Sequence, residues 1–156
     1  MLNFFKDTPV VGKSSINIEK SAFDIFKFIG TDMAKNYPRW SPEVQELNKL
    51  SHEELQKGAR FKQVRIDQGT KSESIFTVNV FDEPHCVCFE GISNPFKCEY
   101  KIDSLSTNLS KLTFTFELTT LELHIRPFEK LVRIAVQDGT ERTVRNIKKL
   151  IENSIG

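Results

Sequence analysis

Hydrophobic and polar positions along this chain change their period twice. Between Val10 and Glu19 (VVGKSSINIE) they alternate weakly, with Ile16 and Ile18 on one face, which predicts a strand. Ser21 then offers a helix N-cap. Ala22, Phe23, Ile25, Phe26 and Ile29 follow at helical spacing, with Gly30 reading as a stop. In NYPRWSPEVQEL the prolines Pro38 and Pro42 predict an irregular path, and Val44 to Leu50 reads as a helical turn leading into a strand.

From Gly58 the period becomes two. Phe61, Gln63 and Arg65 oppose Lys62, Val64 and Ile66, and Gln68-Gly69-Thr70 is a hairpin-turn candidate. Ser74 to Phe81, with Phe76 and Val78 on one face, is rich in β-branched and aromatic residues until Glu83-Pro84 breaks it. His85 to Ile92 (HCVCFEGI, with Phe89) is the next strand, and Ser93-Asn94-Pro95 turns the chain. Phe96, Cys98, Tyr100 and Ile102 alternate with charged residues. After the turn at Ser106-Thr107-Asn108, Leu112, Phe114, Phe116 and Leu118 alternate with Thr113, Thr115, Glu117 and Thr119. Strands joined by short turns predict an antiparallel meander.

The last segment returns to helical spacing. From Pro127 to Ser154, Phe128, Val132, Val136, Thr140, Val144, Ile147 and Ile151 recur every three or four residues, with Arg133, Glu141, Arg145 and Lys148 on the other face. This predicts one amphipathic helix long enough to cross a sheet. Its middle carries Ala135, Gly139, Thr140 and Thr143 where tight packing would ask for leucine. Glycine costs roughly 1 kcal/mol relative to alanine inside a helix. Gly139 therefore marks either a close helix–sheet approach or kink, or room left for a ligand.

The order is strand, two short helices, five or six further strands, long helix, with no repeat or linker: an α+β chain of one domain, 1–156 with its core at 10–155. In that order the chain resembles the START-like, helix-grip (Bet v 1-like, SRPBCC) superfamily, in particular its polyketide cyclase/dehydrase and lipid-transport group. The resemblance is carried by INIEKSAFDIFKFI, by YPRWSPEV, by the strand start KGARFKQVRI and by the closing RNIKKLIE. It implies a curved antiparallel sheet of six to seven strands wrapped around the terminal helix, with an apolar cavity between them. Its members bind lipids, sterols, polyketides, quinones or plant hormones, and many lack an established reaction, so enzyme and carrier both stay open.

Composition sharpens this picture. The chain has 156 residues, and 22 basic against 21 acidic side chains leave a net charge of +1, which argues against a broad nucleic-acid surface. Thirteen of its aromatic residues are Phe, against one Trp and two Tyr. Aromatic surface is abundant, and polar handles on it are few. No stretch reaches the ~18 uninterrupted apolar residues of a membrane helix, and the N-terminus lacks a signal-peptide pattern. A cytoplasmic protein without stable membrane insertion is expected.

Most catalytic motifs are absent. There is no GxSxG elbow, no GxGxxG and no P-loop. His52, His85 and His124 are scattered and read as surface or edge residues. Cys86 and Cys88 share a strand face, and Cys98 lies opposite them if the next strand folds back. The spacing is not that of a zinc motif, so the thiols read as small hydrophobes, and no metal or cofactor is expected. Acid/base work would need a titratable group in the cavity; Glu90, Arg65, Tyr100, Asp138 and Arg142 are the candidates.

The expected ligand-binding wall is Trp40 (as wall or gate), Phe61, Phe76, Val78, Phe89, Tyr100, Phe114, Phe116, Val132, Val136 and Gly139. The favoured function is a carrier or sensor of a small hydrophobic molecule (lipid, polyketide, quinone or sterol-like). Alternatives are a cyclase or dehydratase using a cavity acid or base, and a protein-interaction module without ligand. A homodimer is compatible with the sequence.

Overall fold

The computed structural model describes residues 9–51, 54–92 and 95–153. Seven strands form one antiparallel sheet: β1 (Val10–Ile18), β2 (Val44–Lys49), β3 (Arg60–Asp67), β4 (Thr70–Asp82), β5 (Cys86–Gly91), β6 (Phe96–Ser106) and β7 (Leu109–Leu118). Their spatial order is β1-β7-β6-β5-β4-β3-β2, so the meander from β2 to β7 is closed by β1 returning beside β7. The curved sheet grips α3 (Glu129–Glu152). Ser93 and Asn94 of the expected turn, His52, and Ser154 at the expected helix end lie outside the described residues.

The helical part differs from the expectation in an instructive way. α1 (Ala22–Phe26) is capped by the Ser21 hydroxyl, which accepts from the Asp24 amide at 3.1 Å. It does not stop at Gly30 but continues through a π-helical turn, Lys27–Thr31. α2 (Met33–Trp40) then carries Pro38 inside it, in the stretch expected to be irregular. Proline removes one helical donor. Here Met33, Asn36, Tyr37 and Trp40 are all buried on one side, and that burial outweighs the lost bond. β2 begins directly at Val44, without a helical turn inside it.

The concave face of the sheet carries an aromatic row. Phe61 of β3 stacks on Phe76 of β4 (centroids 5.4 Å apart), Phe76 meets Phe89 of β5 (4.4 Å), Phe89 meets Tyr100 of β6 (5.9 Å), and Tyr100 stacks on Phe114 of β7 (4.6 Å). Cross-strand register produces this row: inward positions of neighbouring strands are direct partners or near-diagonal ones.

α3 lies chiefly along β1, which is an edge strand. Polar side chains of the helix occupy that edge. Gln137 accepts from the Lys13 amide (3.0 Å) and donates to the Lys13 carbonyl (2.9 Å), and Lys148 donates to the Asn17 carbonyl (2.7 Å). Unpaired backbone groups are thus satisfied and the edge is closed to foreign strands. The two halves of α3 are packed differently. Thr140, Val144, Ile147 and Ile151 are buried, whereas no residue from 129 to 139 is.

Candidate functional site

Along its first half α3 meets the sheet at the β1 edge but stands off the inward side chains of β6 and β7. Sheet and helix enclose a partly open cavity of about 620 Å³. The side chains of β6 and β7 that point inward, Cys98, Tyr100, Phe114, Phe116 and Leu118, form one wall, and Val132, Val136 and Gly139 of α3 form another. Leu121 and Ile125, from the segment before α3, border it too. A Cβ built on Gly139 would meet nothing nearer than the Arg142 guanidinium at 3.9 Å, so this glycine faces open space. The close helix–sheet approach occurs instead at Gly12 of β1, where a Cβ would stand 2.8 Å from Val136 Cγ1.

The far end of the cavity is polar. Arg65 of β3 is held on three sides: Nε and Nη2 donate to the two Asp67 carboxylate oxygens (both 3.1 Å), and Nη1 donates to the Tyr37 and Ser41 hydroxyls (both 3.2 Å). Tyr37 in turn donates to Gln63 Oε1 (3.1 Å), and Gln63 Nε2 donates to Ser74 (3.1 Å). Burial works against the Arg65 charge, but the Asp67 hydrogen bonds and the neighbouring charges outweigh it and hold the guanidinium firmly protonated. Burial pushes the Tyr37 hydroxyl above its ordinary pKa, and the Arg65 charge offsets only part of that.

Tyr100 sits between the two ends. Its side chain is buried, its hydroxyl oxygen accepts from Trp40 Nε1 at 3.3 Å, and burial holds its pKa well above the ordinary value. Among the described residues none accepts the hydrogen of this hydroxyl, although the residue lines the cavity. A neutral phenol with an unused donor, on a residue that lines the cavity, can serve as a hydrogen-bonding point for a guest.

Of the residues read from the sequence as a ligand wall, Trp40, Tyr100, Phe114, Phe116, Val132, Val136 and Gly139 border this space. Trp40, named from the sequence as wall or gate, borders the cavity and is 1% exposed. Phe61, Phe76, Val78 and Phe89 are fully buried and lie outside the lining. Tyr37 covers the phenylalanine row: its ring stands 6.1 Å from Phe76 and 5.6 Å from Phe89. Arg65 and Arg142 line the cavity, whereas Asp138 is exposed and Glu90 lies on the other face of the sheet, bonded to Asn79. Sequence reasoning missed Tyr37, Asp67 and Ser74 as site residues. The signal for Ser74 was present: a hairpin turn at Gln68-Gly69 fixes Gln63 opposite Ser74 and Arg65 opposite Ser72.

No protein-family model matches the chain, and no curated protein matches it in sequence. Solved structures match it closely in shape. The Zhui aromatase/cyclase of a Streptomyces species superposes with a TM-score of 0.76 at 12% identity, covering 94% of this chain and 95% of that one. Norcoclaurine synthase of Thalictrum flavum, in complex with dopamine and hydroxybenzaldehyde, gives 0.73 at 13% identity over 96% and 90%. A START superfamily protein of Mycobacterium smegmatis gives 0.72 at 14% identity over 92% and 97%. Among the described residues no helix is long and apolar enough to cross a membrane. Seven antiparallel strands around a long terminal helix, with two short helices after the first strand, give this chain the START-like helix-grip fold of those proteins.

Proposed function

We propose that the chain binds a small, largely apolar molecule carrying at least one acceptor oxygen, and serves as its carrier or sensor. The cavity of about 620 Å³ falls inside the ~300–1,000 Å³ range of small-molecule sites. What carries the reading is Tyr100, a buried phenol on the lining of this space whose hydroxyl accepts from Trp40 and keeps one unused donor. An oxygenated aromatic or polyketide-like guest would match both. Such chemistry is also that of the dopamine and hydroxybenzaldehyde held by the norcoclaurine synthase structure.

The same geometry favours binding over acid–base catalysis. Both cavity phenols are held protonated, Asp67 is tied to Arg65, and Glu43 faces Arg142 at 4.0 Å. Donors and closed ion pairs orient a guest better than they move its protons.

Native mass spectrometry of the purified chain should show a co-purifying small-molecule mass. Gly139→Phe, which fills open space, should abolish it. Tyr100→Phe should weaken an oxygenated guest roughly 2–12-fold, the worth of one hydrogen bond, and leave a hydrocarbon of similar size unaffected. Equal binding of guests by the wild type and Gly139→Phe would overturn the proposal.

A further inference from the structure

The convex face of the sheet, turned away from the cavity, holds a second set of groups. Cys86 and Cys88 point outward from β5, alternating with inward-facing Val87 and Phe89. Register pairs Cys88 with Glu99 of β6 and Cys86 with Lys101. Cys98, which the sequence placed opposite the other two thiols, is buried on the concave face; the register puts Glu99 in its place. Sγ of Cys86 and Sγ of Cys88 are 3.6 Å apart, and Cys88 Sγ stands 3.9 Å from Glu99 Oε2. All three potential ligand atoms lie within 4.8 Å of one another.

These separations suit a shared ion. Zn–S bonds of ~2.3 Å and Zn–O bonds of ~2.0 Å at tetrahedral angles place two sulfurs about 3.8 Å apart and sulfur and oxygen about 3.5 Å apart. The sulfurs stand within about 0.2 Å of that distance and Cys88 Sγ within about 0.4 Å of its distance from Glu99 Oε2, and all three atoms lie within 4.8 Å of one another, so a side-chain adjustment of Glu99 closes the set. A disulfide suits the pair less well. Residues two apart on a strand have Cα atoms about 6.6 Å apart, near the upper limit for a bridge, and their Cβ atoms point side by side instead of toward each other. All three side chains are half-buried, open to an ion yet backed by rigid strands. Two thiolates, one carboxylate, the neighbouring Lys101 and a divalent cation sum to zero charge.

We propose that Cys86, Cys88 and Glu99 form a binding site for a zinc-class divalent cation on the convex face, with the fourth position left to water. Thiolate donors favour borderline and soft ions over magnesium or calcium. The site is independent of the cavity and of whatever guest the cavity takes.

Titration of the reduced full-length chain with Cd²⁺, followed by the ultraviolet thiolate-to-metal charge-transfer band, tests it. One ion per chain should bind with release of protons from the thiols, and Zn²⁺ should displace it. The double variant Cys86→Ser/Cys88→Ser should lose the band. Glu99→Gln should weaken binding by at least the ~10–100-fold that a residue merely orienting a ligand contributes. Absence of the band in the wild type, or its survival in the double variant, overturns the site. Alkylation of the native wild type gives a readout that needs no variant. Zn²⁺ should slow modification of both Cys86 and Cys88, because a metal-bound thiolate is no longer a free nucleophile, and unchanged rates would refute it.

Discussion

A methyl group added at Gly12 would stand 2.8 Å from Val136 Cγ1 and 2.9 Å from the Val136 carbonyl oxygen, against helix backbone that cannot give way. The same methyl at Gly139 would enter open space. Gly12→Ala should therefore destabilise by about 1–3 kcal/mol, the usual range for overpacking. Gly139→Ala should stabilise by up to ~1 kcal/mol through helix propensity. Denaturant unfolding of both variants checks the pair, and a destabilised Gly139→Ala would mean that the helix is in fact tightly packed there. Only one of these roles was legible in the sequence. Gly139 interrupts a helical period and so attracts notice, whereas Gly12 sits in a weakly alternating strand, and its crowding comes from a helix more than a hundred residues away. Tyr100 shows the same division. Alternation put it on the inward face, but its free donor follows from Trp40 reaching its oxygen, a contact across 60 positions of sequence.

Elements were legible where one face alone is buried. β6, β7 and the second half of the long helix follow their periods closely, because each has one apolar side to hide, whereas Phe128, Leu131 and Ile134 at the helix start are exposed despite the helical period. α2 was not legible, since Pro38 argues locally against a helix and the burial of Tyr37 and Trp40 that overrides it exists only after folding. Missing α2 meant missing Tyr37, and with it the reason why Phe61, Phe76 and Phe89 are core and not wall. Within α3 the two halves should behave unlike each other. Ile147→Ala should cost about 2–5 kcal/mol. Val132→Ala, beside the cavity, should cost markedly less, and amides of the first half should exchange with solvent faster than those of the second. Equal protection along the helix would contradict a gap beneath its first half. The helix end is also pH-sensitive. Burial pushes the Glu152 carboxyl up, but the Glu19 amide (2.9 Å) and the Lys148 ammonium (2.6 Å) outweigh it and hold the pKa below 4.5. A lowered folded pKa means that the unfolded chain binds more protons, so this contribution is present above about pH 4.5 and lost as the pH falls through the folded value. Glu152→Gln should be less stable than the wild type at neutral pH, and the difference should vanish in acid, as read by denaturant midpoints in both conditions.

At the scale of the whole molecule, the sheet is closed at one end and open at the other. α1, α2 and the second half of α3 fill its concave face with interlocked core, while the first half of α3 spans a cavity whose polar end is tied down by Arg65. An empty space of this size forfeits the dispersion contacts that a filled core would make, and a guest restores them. Binding to the folded chain alone must then raise its stability by mass action, about 2.7 kcal/mol when the guest is at a hundred times its Kd. For a chain of this length each kcal/mol shifts the melting temperature by ~2–4 °C, so a saturating guest should raise Tm by about 5–11 °C. Stripping a co-purified guest by unfolding and refolding should lower Tm by a similar amount, and adding it back should restore the loss. Gly139→Phe separates this effect from any general stabilisation by solute: with the cavity filled from within, its melting temperature should respond to neither stripping nor addition. A guest that raises the Tm of wild type and Gly139→Phe alike acts somewhere other than beneath α3.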